Sequence, residues 1–233
     1  VLGPEQGEAF NRHFDITDAG NFEGKSIPNL LHSDPVDRSF DGLLETVDQY
    51  RKRRFALRLD DKILTAWNGL MIAALCRLYQ AGGGKKHLEA AKRADRFLWE
   101  HLWDGKTLHV SFRAGQRGKK GFLDDYAACL FAQLALYGAT LDKAYLTRAE
   151  ELCRDACEQF QDREHGGFYL YSENHESLIL RPKETYDGAM PSGNSLMAWN
   201  LARLSQLVSE ETYGPLAERQ LDFLAADAGQ YPA

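Results

Sequence analysis

Acidic residues precede three long apolar runs of this sequence. Asp61 precedes the run at 65–79, Asp125 directly precedes the run at 126–137, and Asp187 precedes the run at 195–207. These acids recur at intervals of roughly 60 residues, which predicts a structural repeat that places them at equivalent positions. Two facing carboxylates can act as general acid and base on a glycosidic bond. We therefore take Asp61, Asp125 and Asp187 as candidate catalytic residues.

Residues that could bind a sugar surround these acids. Aromatic side chains can pack on the apolar face of a sugar ring, whereas amides and carboxylates hydrogen-bond its hydroxyls. The segment PSGNS at 191–195 predicts a tight turn that presents backbone N–H groups at a helix start, which favours an anionic or hydroxyl-rich ligand. The candidate ligand-binding residues are Trp67, Asn68, Asp124, Tyr126, Arg181, Glu184, Ser192 and Asn194.

A structural role competes with each of these assignments. Asp, Ser and Asn before a helix are common N-caps, and this is the preferred interpretation for Asp60, Asp124 and Ser192. For Asp61 and Asp125 the sequence leaves capping and exposure to a cavity equally open. Trp67 and Tyr126 lie in apolar helices, where packing in the core is the alternative to ligand binding. Arg181 could pair with Glu184 or Asp187.

The elements that position these residues are predicted to be helical hairpins. Amphipathic segments, the first from residue 37 and the others at 87–103, 142–160 and 210–224, alternate with the apolar runs. Such alternation predicts an inner layer of buried helices and an outer layer of half-exposed ones, with all inner N-termini on one face. Long loops with short strands, at 103–121 and 165–185, reach that face. Residues 1–36 are predicted to be a separate loop-rich segment with a short strand, and 37–233 the helical domain.

Composition restricts the class of protein. The chain has 233 residues with a net charge of −6, 44% hydrophobic and 27% charged, which is typical of a soluble globular protein. Its acidity argues against nucleic acid as a partner, and no apolar run is long enough to cross a membrane. The four cysteines lie in helical runs and are predicted to be buried thiols in a reducing, cytoplasmic compartment. The sequence predicts neither a metal site nor a cofactor.

Four segments carry a resemblance to a known family. They read GNFEGK at 20–25, DDKILTAWNG at 60–69, FLDDYA at 122–127, and RPKE at 181–184 followed by DGAMPSGNS at 187–195. From about residue 14 onward the chain resembles the family of spermatogenesis-associated protein 20, also called the YyaL family. The resemblance implies an (α/α)6 toroid of the six-hairpin glycosidase type, related in fold to the N-acylglucosamine 2-epimerases.

The resemblance also implies a larger protein. Family members carry a thioredoxin-like domain with a cysteine pair, which this sequence lacks, so we expect the chain to be the central part of the family pattern with a partial toroid. The expected function is that of a carbohydrate-active or carbohydrate-binding domain. A noncatalytic scaffold for a thioredoxin-like partner domain and a sugar epimerase or isomerase are the alternatives. An incomplete toroid would expose apolar surface, which predicts self-association or additional helices.

Overall fold

The computed structural model describes residues 1–35, 37–54, 56, 58–172 and 180–228, with residues 227 and 228 described by their backbone alone. The chain forms two compact units, Val1–Asp60 and Asp61–Ala233. The first unit therefore includes residues 37–60, which the sequence grouped with the helical region. None of the described helices is long and apolar enough to cross a membrane.

The first unit contains two helices, α1 (Pro4–His13) and α2 (Asp41–Arg54). The prediction of a loop over residues 1–36 is wrong for α1, which begins with a proline at its first position and buries Phe10. Phe10 packs against Phe14 and Phe40, with ring centroids 4.5 and 6.3 Å apart. The helix predicted from residue 37 onward is confirmed as α2, although none of its residues is buried. Four basic residues in its last turn complement the negative end of its dipole.

The described residues of the second unit form six α-helices in two layers. The central helix α5 packs against α3 on one side and α7 on the other, and each of these three carries an outer helix: α4 on α3, α6 on α5 and α8 on α7. Short π-helical turns extend α3 and α4, at Tyr79–Gly83 and Leu98–Leu102. This order confirms the predicted alternation of inner and outer helices. The bounds are α3 Thr65–Leu78, α4 Lys85–Phe97, α5 Leu123–Thr140, α6 Lys143–Phe160, α7 Gly193–Leu207 and α8 Glu210–Ala228.

Small residues let the inner helices approach closely. Gly69 of α3 faces α5, where an added Cβ would lie 2.6 Å from the carbonyl oxygen of Ala128. Asn200 of α7 donates to the carbonyl oxygen of Ala127 at 2.9 Å. Because α5 is covered from both sides and from outside by α6, it supplies a large share of the buried core.

The inner helix α3 is not buried on all sides, although its apolar sequence predicted this. Trp67, Met71 and Leu78 are exposed, and they recur at the four- and seven-residue spacing of one helix face. Within the described part of the chain, α3 has an inner neighbour only on its α5 side. An apolar helix at the end of a row keeps the opposite face uncovered.

A small antiparallel sheet lies at the N-terminal end of α3. Its strands β1 (Ile63–Leu64), β2 (Ser111–Arg113) and β3 (Gln116–Arg117) pair in that order. The short strands predicted within the 103–121 loop are therefore confirmed as β2 and β3. In the 165–185 loop, where short strands were also predicted, Phe168 pairs with Gln161 in an isolated bridge, and residues 173–179 lie outside the described residues.

Candidate functional site

The N-termini of the three inner helices are joined by the carboxylates at the start of α5. Asp125 Oδ1 accepts a hydrogen bond from the N–H of Ala66 in α3 at 3.1 Å, and Asp124 Oδ1 accepts one from the N–H of Gly193 in α7 at 3.0 Å. The three helix starts therefore lie on one face, as the sequence predicted. Both acids satisfy orphan donors of a neighbouring helix.

Asp125 is a buried cap, only 4% exposed. Its second oxygen accepts from the N–H of Phe122 at 2.9 Å, so that one carboxylate caps two helices. Burial raises the pKa of Asp125 to about 7, against the opposing effect of these two N–H donors. A carboxyl group with such a pKa changes between its protonated and ionised forms near neutral pH.

Asp124 is half-buried beside it. Burial raises the pKa of Asp124, and the negative charge of Glu184 adds to the increase. Only its Oδ1 has a hydrogen-bond partner within the described residues. Only glycine fits at position 193, where the start of α7 lies against Asp124, because an added Cβ would lie 2.6 Å from Asp124 Oδ1.

The other two candidate acids lie at the surface. Asp61 does not cap α3; its Oδ1 accepts from Arg113 Nε at 2.5 Å, and both side chains are about half exposed. Asp187 is exposed, and its Oδ1 accepts from the N–H of Ser192 at 2.7 Å. Catalysis by Asp61, Asp125 and Asp187 remains a prediction, and each of the three already has a partner.

The start of α7 is built by Ser192 and Asn194. Ser192 is the N-cap, and its hydroxyl accepts from the N–H of Ser195 at 3.1 Å. Asn194 is completely buried; its amide accepts from Phe168 N–H at 2.8 Å and donates to the carbonyl oxygens of Phe168 and Glu184 at 2.9 and 2.8 Å. Asn194 therefore fixes two incoming loop segments to the helix start.

The remaining candidates have different surroundings. Trp67 is 60% exposed and free to meet a ligand, whereas Tyr126 is fully buried, with its hydroxyl accepting from Leu108 N–H. Asn68 donates to the carbonyl oxygen of Leu64 at 2.8 Å. Arg181 donates to the carbonyl oxygen of Tyr171 and lies over the Tyr169 ring, 4.1 Å from its centroid.

Two polar clusters in the loops were missed by sequence reasoning. Asp162, buried just after α6, accepts from Lys183 Nζ at 2.8 Å and from the Tyr169 hydroxyl at 2.7 Å. Burial opposes its ionisation, but the hydrogen bonds, first that of Lys183, hold its pKa far below the usual range. The sequence signal that could have indicated this tight turn is Asp162, placed between the end of a helix and the pair Gly166-Gly167. Both glycines have a positive φ in the structure.

The second cluster is the pair of Asp104 and His109. The imidazole lies between Asp104 Oδ2 and the carbonyl oxygen of Gly118, at 2.9 Å from each. The hydrogen bond to His109 lowers the pKa of Asp104 to about 2, although burial acts to raise it. His109 is thus a structural clamp of the 103–121 loop rather than an exposed strand residue.

The described residues contain no group of three or more histidines, cysteines and acids that could hold a metal ion. Cys76, Cys129 and Cys153 are buried free thiols, as predicted, and Cys157 is half-buried.

Sequence relatives cover most of the chain. Human spermatogenesis-associated protein 20 is 30% identical over an alignment that covers 88% of this chain and 31% of the human protein. The rat protein of the same name is 31% identical over an alignment that covers 89% of this chain and 30% of the rat protein. This chain is a homologue of spermatogenesis-associated protein 20. It spans less than a third of the length of these relatives, and no family model matches it.

Solved structures similar to this homologue of spermatogenesis-associated protein 20 are carbohydrate enzymes with the same helical fold. A glycoside hydrolase family 76 α-mannanase of Bacteroides thetaiotaomicron has a TM-score of 0.60 at 20% identity, covering 74% of this chain and 46% of the mannanase. Cellobiose 2-epimerase of Spirochaeta thermophila has a TM-score of 0.57 at 16% identity, covering 79% and 54%.

A third similar structure is an α-1,6-mannanase of Salegentibacter, with a TM-score of 0.58 at 14% identity, covering 82% of this chain and 55% of that one. It is an inactive variant in which two consecutive aspartates are replaced by asparagine, in complex with α-1,6-mannotriose. At these identities the likeness establishes the fold alone, and the three described hairpins correspond to part of an (α/α)6 toroid.

Proposed function

We propose that the face formed by the N-termini of α3, α5 and α7 binds a saccharide, and that the chain is a carbohydrate-active domain. The observation that carries this proposal is the half-buried Asp124, whose second oxygen has no partner within the described residues, beside Asp125 and near Glu184. Two carboxyl groups in such proximity suit general acid–base chemistry on a sugar.

Consecutive aspartates support the same assignment by analogy. The chain holds two such pairs, Asp60-Asp61 and Asp124-Asp125, and only the second lies at the buried ends of the inner helices. The structurally similar α-1,6-mannanase is inactive when two consecutive aspartates are replaced. We assign Asp124 as the proton donor, because burial favours its protonated form.

The partner carboxylate is chosen from the remaining acids of the face. Asp61, Asp125 and Asp187 are the original candidates, and Glu184 joins them through its charge interaction with Asp124. Asp125 is the least suited to direct contact with substrate, because both its oxygens accept backbone hydrogen bonds. For Trp67 we propose stacking against a sugar ring, since it is an exposed aromatic in the first turn of α3.

Binding is tested by calorimetric titration with α-1,6-mannotriose and with cellobiose. We expect the W67A variant to lose about tenfold or more in affinity. The M71A variant is the matched control, because Met71 is equally exposed one turn further along α3 and should leave affinity unchanged. Absence of binding to either saccharide by the folded chain would refute the proposed site.

Chemistry is tested by incubating the chain with the same two saccharides and following products by NMR. Hydrolysis yields shorter saccharides, whereas epimerisation yields an isomer of unchanged mass, so the assay separates the two reaction classes. We expect D124N to lower either activity by about a hundredfold or more, with D61N, D125N, D187N and E184Q ranking the partner. D222N, on the exposed outer helix α8, is the control. Full activity in D124N contradicts its assigned role.

A purely structural role is the other candidate function. The hydrogen bonds from helix-start N–H groups to Asp124, Asp125 and Asp187 favour it, and a folded chain that neither binds nor converts the saccharides would support it. We further propose a cytoplasmic location, a thioredoxin-like domain as partner in the whole protein, and self-association. Exposed Met71 and Leu78 on α3 support the last of these.

A further inference from the structure

A polar cavity of about 560 Å³ has a lining that includes none of the candidate sugar-binding residues. One wall is the 103–121 loop, which contributes Lys106, Thr107 and Lys120. The other wall is the last turn and a half of the outer helix α6. The residues lining that wall are Asp155, Glu158 and Gln159, with Ser172 beside them.

The loop wall is held in shape by the Asp104–His109 pair. Asp104 Oδ1 accepts from the backbone N–H groups of Lys106 and Thr107, at 2.9 and 2.7 Å, and so fixes the turn that carries both residues. His109 pairs with Lys120 in an isolated β-bridge. The loop wall is therefore preorganised, which lowers the entropic cost of binding.

The two walls are joined through a buried hydroxyl. Tyr126 Oη accepts from Leu108 N–H in the loop and from Gln159 Nε2 in α6, both at 3.2 Å. Tyr126 belongs to the inner helix α5 and is fully buried, so it anchors the loop and the outer helix to the core. The spacing between the walls is thus set by the fold.

The charges on the walls are opposite and unpaired. Lys106 and Lys120 face Asp155 and Glu158 across the cavity, and within the described part of the chain none of the four forms an ion pair. Burial raises the pKa of Asp155, and the like charge of Glu158 adds to the effect, although Arg154 opposes it. Asp155 therefore has no ion pair among the described residues, and a cationic group in the cavity would stabilise its charge.

We propose that this cavity binds a small zwitterion, an amino acid or short peptide with an ammonium group and a carboxylate at separate ends. Its carboxylate would meet the lysine wall and its ammonium group the acidic wall. A simple anion or cation would gain one attraction and suffer one repulsion, so the two walls together select for both charges. None of the described residues that line the cavity is aromatic, which disfavours stacking of a neutral sugar ring.

The test is a titration of the intact chain, by NMR or calorimetry at low salt, with ω-amino acids of increasing length from glycine to 6-aminohexanoate. Hexanoate and hexylamine serve as single-charge controls. We expect one length of the zwitterion to bind about tenfold or more tighter than either control. K120Q and D155N should each remove that preference, whereas K143Q, at the first residue of α6 and outside the cavity lining, should retain it.

Three results would overturn the proposal: equal binding of the single-charge controls, preference retained in both K120Q and D155N, or no binding of any ω-amino acid up to about 10 mM. The outcome is independent of the saccharide proposal. The W67A and D124N variants should bind the zwitterion like the wild type, and K120Q should bind saccharide like the wild type.

Discussion

Replacing Asp125 with asparagine should change how the stability of the helical unit depends on pH. The carboxyl group has an ordinary pKa of 3.8 in an unfolded chain and one of about 7 when folded, because burial disfavours its charge. Between these two values the folded protein binds more protons than the unfolded one. The unfolding free energy therefore falls as pH rises from about 3.8 to about 7, and it no longer depends on this group above pH 7.

The magnitude follows from the shift. About three pKa units correspond to roughly 4 kcal/mol of unfolding free energy, of which about 2.5 kcal/mol falls between pH 5 and pH 8. Asparagine cannot ionise, so D125N lacks this slope. It also places an NH2 group against one of two N–H donors, which costs about 1–3 kcal/mol at every pH.

Urea denaturation followed by circular dichroism at pH 5, 6, 7 and 8 measures both effects. The difference in unfolding free energy between wild type and D125N should fall by about 2.5 kcal/mol across the series. D162N is the matched control, because Lys183 and its neighbours keep the buried Asp162 ionised throughout this range. A wild type whose pH profile is parallel to that of D125N would refute the argument that burial outweighs the two N–H donors.

Two further substitutions test how the inner helices are held together, both by urea denaturation. G69A should lower the unfolding free energy by about 1–3 kcal/mol, since its Cβ would lie 2.6 Å from the Ala128 carbonyl oxygen. The control G138A, whose Cβ would meet only the Gln80 amide at 3.6 Å, should be neutral or stabilising. Equal effects of the two substitutions would contradict the close approach of α3 and α5. N194A should lower the unfolding free energy by about 3 kcal/mol or more, because it leaves buried backbone partners in Phe168 and Glu184 unsatisfied. The control N68A, which removes one hydrogen bond to the Leu64 carbonyl oxygen, should lower it by about 1 kcal/mol. A loss in N194A no larger than that in N68A would show that the loops do not depend on the Asn194 amide.

The layered fold could be predicted because it depends on local hydrophobic patterns. The apolar runs that became α3, α5 and α7 and the amphipathic segments between them carry the helical period in the sequence itself. The error at α1 has a physical cause, because this ten-residue helix is largely polar, contains a glycine and buries only Phe10, so no apolar run marks it in the sequence. The exposed stripe of α3 could not be predicted, since exposure depends on which neighbours are present.

The candidate site could be predicted in part. Asp61, Asp125 and Asp187 were chosen because they precede apolar runs, and the structure places Asp125 and Asp187 at helix starts. The partners were beyond prediction: Asp125 caps α3 as well as its own helix, and Asp61 pairs with Arg113. Such pairings join residues that lie 59, 69 or 52 positions apart, and no local pattern records them.

Asp124 and Asp125 have a consequence for how the chain folds. Each accepts a hydrogen bond from an N–H group at the start of a helix in another hairpin. For Asp125 that donor is Ala66, 59 residues earlier, and for Asp124 it is Gly193, 69 residues later. Neither the hairpin of α3 and α4 nor that of α7 and α8 can satisfy its first inner turn until α5 is in place. The three hairpins should therefore gain stability together, with α5 as the part on which the other two nucleate, and the slow step of folding should be the docking of these distant ends.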